Sequence, residues 1–477
     1  MKTPILGSSY VARSVNAADN RMVNLFPEVV PEGGKEPGFL SRCPGLALLD
    51  TIGSGPIRGL WVLGSLMYVV SGTTLYSVTT GYVETSRGTI AGTGPVSIAD
   101  NGLEIFIATS SGTSYIYTVA TTTLTEITDP GFPGAITVGY INGWFVFNEP
   151  SSQKIWVKDA ATVLDASNFS SADALSDNVV GLVVDHNEVW IFGNNSTEVW
   201  YDAGTSGFPL ARISGAISEI GCASAYTIAK MDNTVFWLGK DARGQGIVYR
   251  AKGYGAERVS THAVEWQIQS YGDLSTALAY TYQQDGHSFY VLIFPGEDTT
   301  WVYDAATNAW HERAGFSNGS FTRHRSNCQA FFNNLTIVGD YSNGKIYSLD
   351  LGTYADDGST QKWLRSWRAL PAGANNLTRA AHHSLQLDCE AGVGLPSGQG
   401  SDPQVMMRWS DDGGHTWTNE QTRSMGQGAL GQYGYRVIWR RLGMTMKLRD
   451  RVYEVSGTDP VKIIIMGAEL LMSPTNA

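Results

Sequence analysis

No apolar stripe of helical period runs for any length in this 477-residue chain, so it reads as nearly all β. Cysteine is scarce. The four residues at 43, 222, 328 and 389 form no CxxC pair and no cluster. That argues against a zinc site and a disulfide framework, and for separated buried thiols. Long apolar runs are missing too. The longest late one, from Val461 to Met472, carries Lys462 and Glu469 and cannot span a bilayer. The opening MKTPILGSSYVA has one Lys and too short an apolar run for a signal peptide. Metal-binding histidine signatures are absent: there is no HExxH or HxxxH. His382 and His383 are adjacent, so in a strand they point to opposite faces, and the other six histidines are scattered. No cofactor, no metal and no enzymatic activity are expected.

Positive charge is short as well. Against 44 acidic residues stand 33 basic ones, a net of −11. The surplus lies wholly in the first 354 residues, at 20 basic and 32 acidic, whereas residues 355–477 hold 13 and 12. An acidic body of this kind disfavours capture of nucleic acid or of an anionic membrane.

What the chain does have is glycine (54 residues), aromatics (14 Trp and 22 Tyr) and one recurring hairpin. A β-branched and aromatic strand is followed by a Gly/Asn/Asp/Ser turn and a second strand centred on Tyr or Trp. Copies start at Leu66 (LMYVVSGTTLYSVT), Leu103, Gly143, Glu188, Thr234, Ser288 and Asn334, at spacings of 37, 40, 45, 46, 54 and 46 residues. This is the spacing of β-propeller blades. The copies share pattern and almost no identity, so WD and kelch repeats are not indicated. The expected fold is all-β, a propeller of six or seven blades with an additional C-terminal β region. Residues 1–55 read as an arm, 56–354 as the propeller and 355–477 as the C-terminal region. Ring closure brings the two ends of the repeat region together. The arm and C-terminal region are therefore expected to pack as one composite, with Leu25, Phe26 and Leu46 against Val437, Ile438, Ile463 and Ile465.

Two local patterns stand out in the C-terminal region. SDDGGHTW fits S-x-D-x-G-x-T-W, the Asp-box, at Ser410, Asp412, Gly414, Thr416 and Trp417. Its reading is structural: Asp412 accepts turn N–H groups, Gly414 takes a positive φ and Trp417 covers the hairpin. On that reading Trp417→Ala costs on the order of 2–4 kcal/mol. Sialidases carry several Asp-boxes, one per blade; here there is one, outside the repeats. The second pattern is a basic cluster, Arg436, Arg440, Arg441, Lys447, Arg449 and Arg451. It suits phosphate contacts or, preferably, salt bridges between subunits or to acidic partners.

The termini carry a family resemblance. YVARSVNAADNRMVNLFPEVVPEGG, then PGFLSRCPGLALL and GPIRGLW, place Asn16, Arg21, Asn24, Leu25, Pro27, Glu28, Pro44, Gly45, Leu46, Arg58 and Gly59 in a pattern. That pattern resembles the packaged-DNA stabilisation proteins of short-tailed phage tails. The ending, with RRLG at Arg440 to Gly443, RDRV at Arg449 to Val452 and TDPVK at Thr458 to Lys462, is similar too. The stretch from Met444 to Leu448 is longer than that pattern expects. The resemblance implies a virion protein of the tail, the hub or nozzle, made in the host cytoplasm. It implies a homohexameric ring below the portal and its adaptor, capped by a needle or plug and flanked by tailspikes. Such a ring retains packaged DNA and passes it at ejection without binding it specifically. The alternative expectation is a carbohydrate-binding or glycan-cleaving propeller acting on the host surface.

Overall fold

The computed structural model describes residues 1–14, 18–159, 164, 167–371, 379–445 and 451–475. Seven four-stranded antiparallel blades follow one another among the described residues, and they close a ring. Each repeat read from the sequence supplies the second and third strands of one blade, for example Leu66–Ser71 with Thr74–Val78 and His287–Phe294 with Thr299–Asp304. These central strands are buried on both faces, because every blade is sandwiched between two others. Met67 to Val70, Ile105 to Ala108 and Val235 to Leu238 are therefore unbroken buried runs. Seven apolar clusters result, one at each blade–blade contact, from Tyr68, Ile107 and Tyr117 between the first two to Val69, Ile57 and Ile337 where the last meets the first. Left-handed residues make the tight turns between first and second strands, as at Asn142 and Gly143 (φ 45° and 97°) and at Asp285 and Gly286 (φ 50° and 81°).

The ring is closed by a strand from far away in sequence. Gly45–Thr51 is the fourth strand of the last blade, antiparallel to Lys345–Asp350 with Leu46 opposite Leu349. Residues 45–51, read from sequence as part of the arm, thus sit in the propeller. Their repeat partner lies some 300 positions on, out of reach of local periodicity.

The remainder of the arm joins the C-terminal region in a β-sandwich. One sheet contains Met22–Val23, Trp363–Arg368, Val452–Gly457, Gln404–Ser410 and Gln421–Ser424. The other contains Leu25–Val29, Gly38–Arg42, Ile464–Pro474, Ala380–Cys389 and Val437–Arg440, with Lys2–Thr3 paired on Ile464–Pro474. Between them lie Trp363, Trp367, Trp439, Tyr453, Leu385 and Ile465, all buried. Leu25 packs here with Val437, Ile463 and Ile465. Phe26 and Leu46 do not. They turn to the contact between the sixth and seventh blades, beside Phe289 and Val338. Adjacent strand residues face opposite ways, so one arm strand serves two cores. Ile438 is likewise on the outer side of its strand, half-buried between Val437 and Trp439. Val23 also pairs in parallel with Glu312, which makes the sixth blade and a sandwich sheet continuous.

Candidate functional site

The chemistry of this chain concentrates where propeller, arm and sandwich meet. Four arginines hold the junction. Arg42 is buried and donates from Nη1 to the carbonyls of Asp459 (2.5 Å) and Val461 (2.8 Å). Its Nη2 donates to those of Tyr354 (3.1 Å) and Gln361 (2.5 Å), and its Nε to Gln361 Oε1 (3.1 Å). Among the described residues no carboxylate touches it, and burial lowers its pKa to about 10. Arg365 donates to the carbonyls of Ile5, Ser8 and Asn20, and burial brings it to about 10 as well. Arg313 reaches Pro44 O and the Tyr282 hydroxyl. Arg21 forks onto Glu312 at 2.9 and 2.8 Å, binding arm to sixth blade. Asn24, at φ 54°, donates to Ala314 O and Lys362 O and accepts from Ala314 N. Arg21 and Asn24 belong to the terminal pattern. Arg42 and Arg365 carried no signal, sitting in short strands with no motif around them.

The Asp-box occupies the loop between Gln404–Ser410 and Gln421–Ser424. The Ser410 hydroxyl donates to Asp412 Oδ1 (2.6 Å) and accepts from Gly414 N (2.8 Å). Asp412 accepts from Thr416 N (2.8 Å) and from the Thr416 hydroxyl (2.6 Å). Bonds from Ser410 and Thr416 hold the Asp412 carboxyl well below the usual carboxylate range. Gly414 sits at φ +104°, and a side chain there would collide with the Asp19 carboxylate of the arm. Trp417 is half-exposed, with the Arg408 guanidinium 4.7 Å from its ring centre. It covers less apolar surface than a hairpin plate would. Trp417→Ala is therefore expected to cost about 1 kcal/mol, below the 2–4 kcal/mol of the sequence reading. Asp412→Ala is expected to cost about 1 kcal/mol by opening the turn. Chemical denaturation of both variants checks this.

The basic cluster divides. Arg436, Arg440 and Arg441 are exposed on or beside the edge strand Val437–Arg440. Arg451 is buried and not a surface group. It forks onto Asp411 at 2.6 and 2.8 Å and donates to Leu442 O. Arg449 and Lys447 lie outside the described residues, as does Asn16 of the terminal pattern.

The propeller axis is lined by the first strands of the blades. It holds a cavity of about 520 Å³ with Trp61, Ile98, Tyr140 and Val184 on its walls. Tyr226 of the fifth blade bridges it, its hydroxyl 3.4 Å from Ile136 O beside the third. Burial raises the thiol pKa of all four cysteines, to about 11 at Cys43 and Cys222 and about 12 at Cys328 and Cys389. Among the described residues no group of three His, Cys, Asp or Glu side chains is placed to hold a metal ion, and no helix is long and apolar enough to cross a membrane.

His311, on the outer strand of the sixth blade, gives a pH prediction. Its ring is fully buried beside Phe26 and Phe289, with no hydrogen-bond partner on either nitrogen among the described residues. Burial, then the Arg313 charge, depress its pKa from 6.5 to about 3. The unfolded chain takes up this proton below 6.5 and the folded chain does not, so stability falls as pH drops from 6.5 towards 3. Asp19 and Asp356, each raised to about 6 chiefly by burial, act in the opposite direction between 3.8 and 6. These are common to wild type and a variant at 311. His311→Phe is expected to raise stability by about 1 kcal/mol at pH 7 and by about 2 kcal/mol more at pH 5. Urea titrations at the two pH values test it; a constant difference would disprove it.

Seven blades closed by an N-terminal strand, with a β-sandwich stitched to them by the same arm, define a two-part all-β scaffold. A family model described as "Bacteriophage P22 Gp10, beta-propeller" matches residues 1–354, and one described as "Bacteriophage P22 Gp10, beta-sandwich" matches residues 362–473. The chain belongs to the bacteriophage P22 Gp10 family, a tail and DNA-stabilisation family of short-tailed phages, and is a phage structural protein. Comparison with curated proteins finds no match. Among solved structures the chain is similar to the WD40 β-propeller domain of Doa1 (14% identity, 65% of this chain and 98% of that one, TM-score 0.42). It is also similar to the computationally designed Ika8 protein (13% identity, 64% and 100%, TM-score 0.40).

Proposed function

We propose that this protein forms a homohexameric ring in the virion tail, assembled from chains made in the host cytoplasm, below the portal and adaptor ring. It retains packaged DNA and conducts it at ejection, and it catalyses no reaction. The carrying observation is the family match across both the propeller and the sandwich. The charge distribution supports it. Residues 1–354 carry a net −12, and six such regions facing a passing duplex repel phosphate and do not grip it. The bridged propeller axis supports a path for DNA through the ring lumen between subunits and not through any one propeller.

In this reading residues 1–55 and 355–477 act as one unit of assembly, apart from the strand Gly45–Thr51 held by the last blade. The exposed edge with Arg436, Arg440 and Arg441 meets acidic surface of a neighbour, the adaptor or a tailspike. A needle or plug closes the far end. Averaged electron micrographs of assembled tails are expected to show six copies around the axis. A single copy, or a ring of another order, would refute the hexamer.

A further inference from the structure

The face of the propeller that carries the turns between second and third strands has an open groove of about 800 Å³ between the third and fourth blades. Its lining is unlike the rest of the acidic propeller. Gln153, Asn178, Asn194 and Asn195 present amides, and four serines present hydroxyls. Two cations frame it, Lys154 on the third blade and Lys240 on the fifth.

The carboxylate in the lining, Asp177, is turned to the neighbouring loop between Glu188–Gly193 and Thr197–Asp202. It accepts from Asn195 N (2.5 Å) and from the Ser196 hydroxyl (2.8 Å), so it ties the two loops of the wall together, as does Asn194, which donates to Asn178 O (3.3 Å). The cations are differently placed. Among the described residues neither ammonium has a carboxylate partner. Lys240 makes one long contact to Asn194 Oδ1 (3.5 Å). Lys154 lies 4.4 Å over the ring of Phe169, which is itself partly exposed. Two unneutralised lysines in a region of net −12 form a local positive spot that folding alone does not require.

We infer that this groove binds an acidic saccharide. Side-chain amides and hydroxyls donate and accept at once, which matches the vicinal hydroxyls of a sugar ring. The two ammonium groups match a sugar-borne carboxylate or phosphate. An open, polar, partly preformed cleft suits a hydrated ligand of moderate affinity. The groove thus gives the virion protein a contact to surface glycans, independent of its place in the tail.

The test uses the full chain on immobilised oligosaccharides: oligogalacturonate and oligosialic acid for carboxylates, a mannose-6-phosphate oligomer for phosphate, and maltotetraose as the neutral control. Binding is expected to at least one acidic probe and at least ten-fold weaker to maltotetraose. Which acidic probe binds separates carboxylate from phosphate recognition. Lys154→Ala/Lys240→Ala is expected to lose at least ten-fold in affinity at unchanged melting temperature, and Asn195→Ala to lose less. The inference fails if no acidic probe binds, if the double variant binds as the wild type does, or if a DNA duplex binds more tightly than every saccharide.

Discussion

Arg42→Ala is expected to destabilise the sandwich by about 3–5 kcal/mol and to free the arm from it, while the first six blades remain folded. Five hydrogen bonds leave this one guanidinium. They reach the chain at Tyr354, at Gln361 and at the Asp459 and Val461 carbonyls. The strand that carries it, Gly38–Arg42, is central to one sandwich sheet, and the next strand, Gly45–Thr51, closes the propeller. Truncation leaves four carbonyls and a Gln361 oxygen in a buried pocket with nothing to bond, and that loss dominates the apolar contact removed. Arg42→Lys separates charge from geometry. A lysine keeps a cation but offers three donors from one point in place of a planar fork, so it is expected to recover only part of the loss. Denaturant titration reports the loss, and limited proteolysis locates it. Equal stability of Arg42→Ala and wild type would overturn the bracket assigned to this residue.

The propeller was legible because of what burial on two faces demands. A strand pressed between two blades must be apolar at nearly every position, so runs such as Val189 to Phe192 mark the second strand of each blade. The fourth strands were not legible. Glu84–Thr89 reads ETSRGT, a solvent-facing edge with no apolar pattern to find. The last blade's outer strand was invisible for a different reason: its partner is supplied by chain topology and not by local sequence. In the C-terminal region the Asp-box was legible as a turn because its bonds are local, none spanning more than four residues. Arg451 reads from sequence as one of the interface cluster because its partner Asp411 lies forty residues back, in the turn that follows the strand Gln404–Ser410. Arg42 and Arg365 bond mainly to backbone carbonyls, and acceptors of that kind leave no trace in the sequence.

Two truncations are expected to part the molecule in different places. Removing residues 1–43 deletes Met22–Val23, Leu25–Val29 and Gly38–Arg42, and with them Leu25, Leu40 and Arg42 from the sandwich. One sheet loses Lys2–Thr3 and two adjacent strands, and the other loses the strand that links it to the sixth blade. The sandwich is expected to unfold, and ring assembly with it. The propeller keeps all seven blades, because Gly45–Thr51 remains to pair with Lys345–Asp350. Removing residues 1–55 takes that strand as well. Leu46 then leaves its place beside Tyr347 and Leu349, and the last blade exposes a bare edge. A propeller holds together only as a closed ring of blade contacts, so the opened form is expected to lose protease resistance through the seventh blade first and then in its neighbours. The first truncation should therefore give a stable fragment ending near residue 354, and the second should not. If both fragments resist protease equally, the N-terminal strand does not hold the ring closed. If the first keeps a folded C-terminal region, the arm is an accessory to the sandwich and not part of its core.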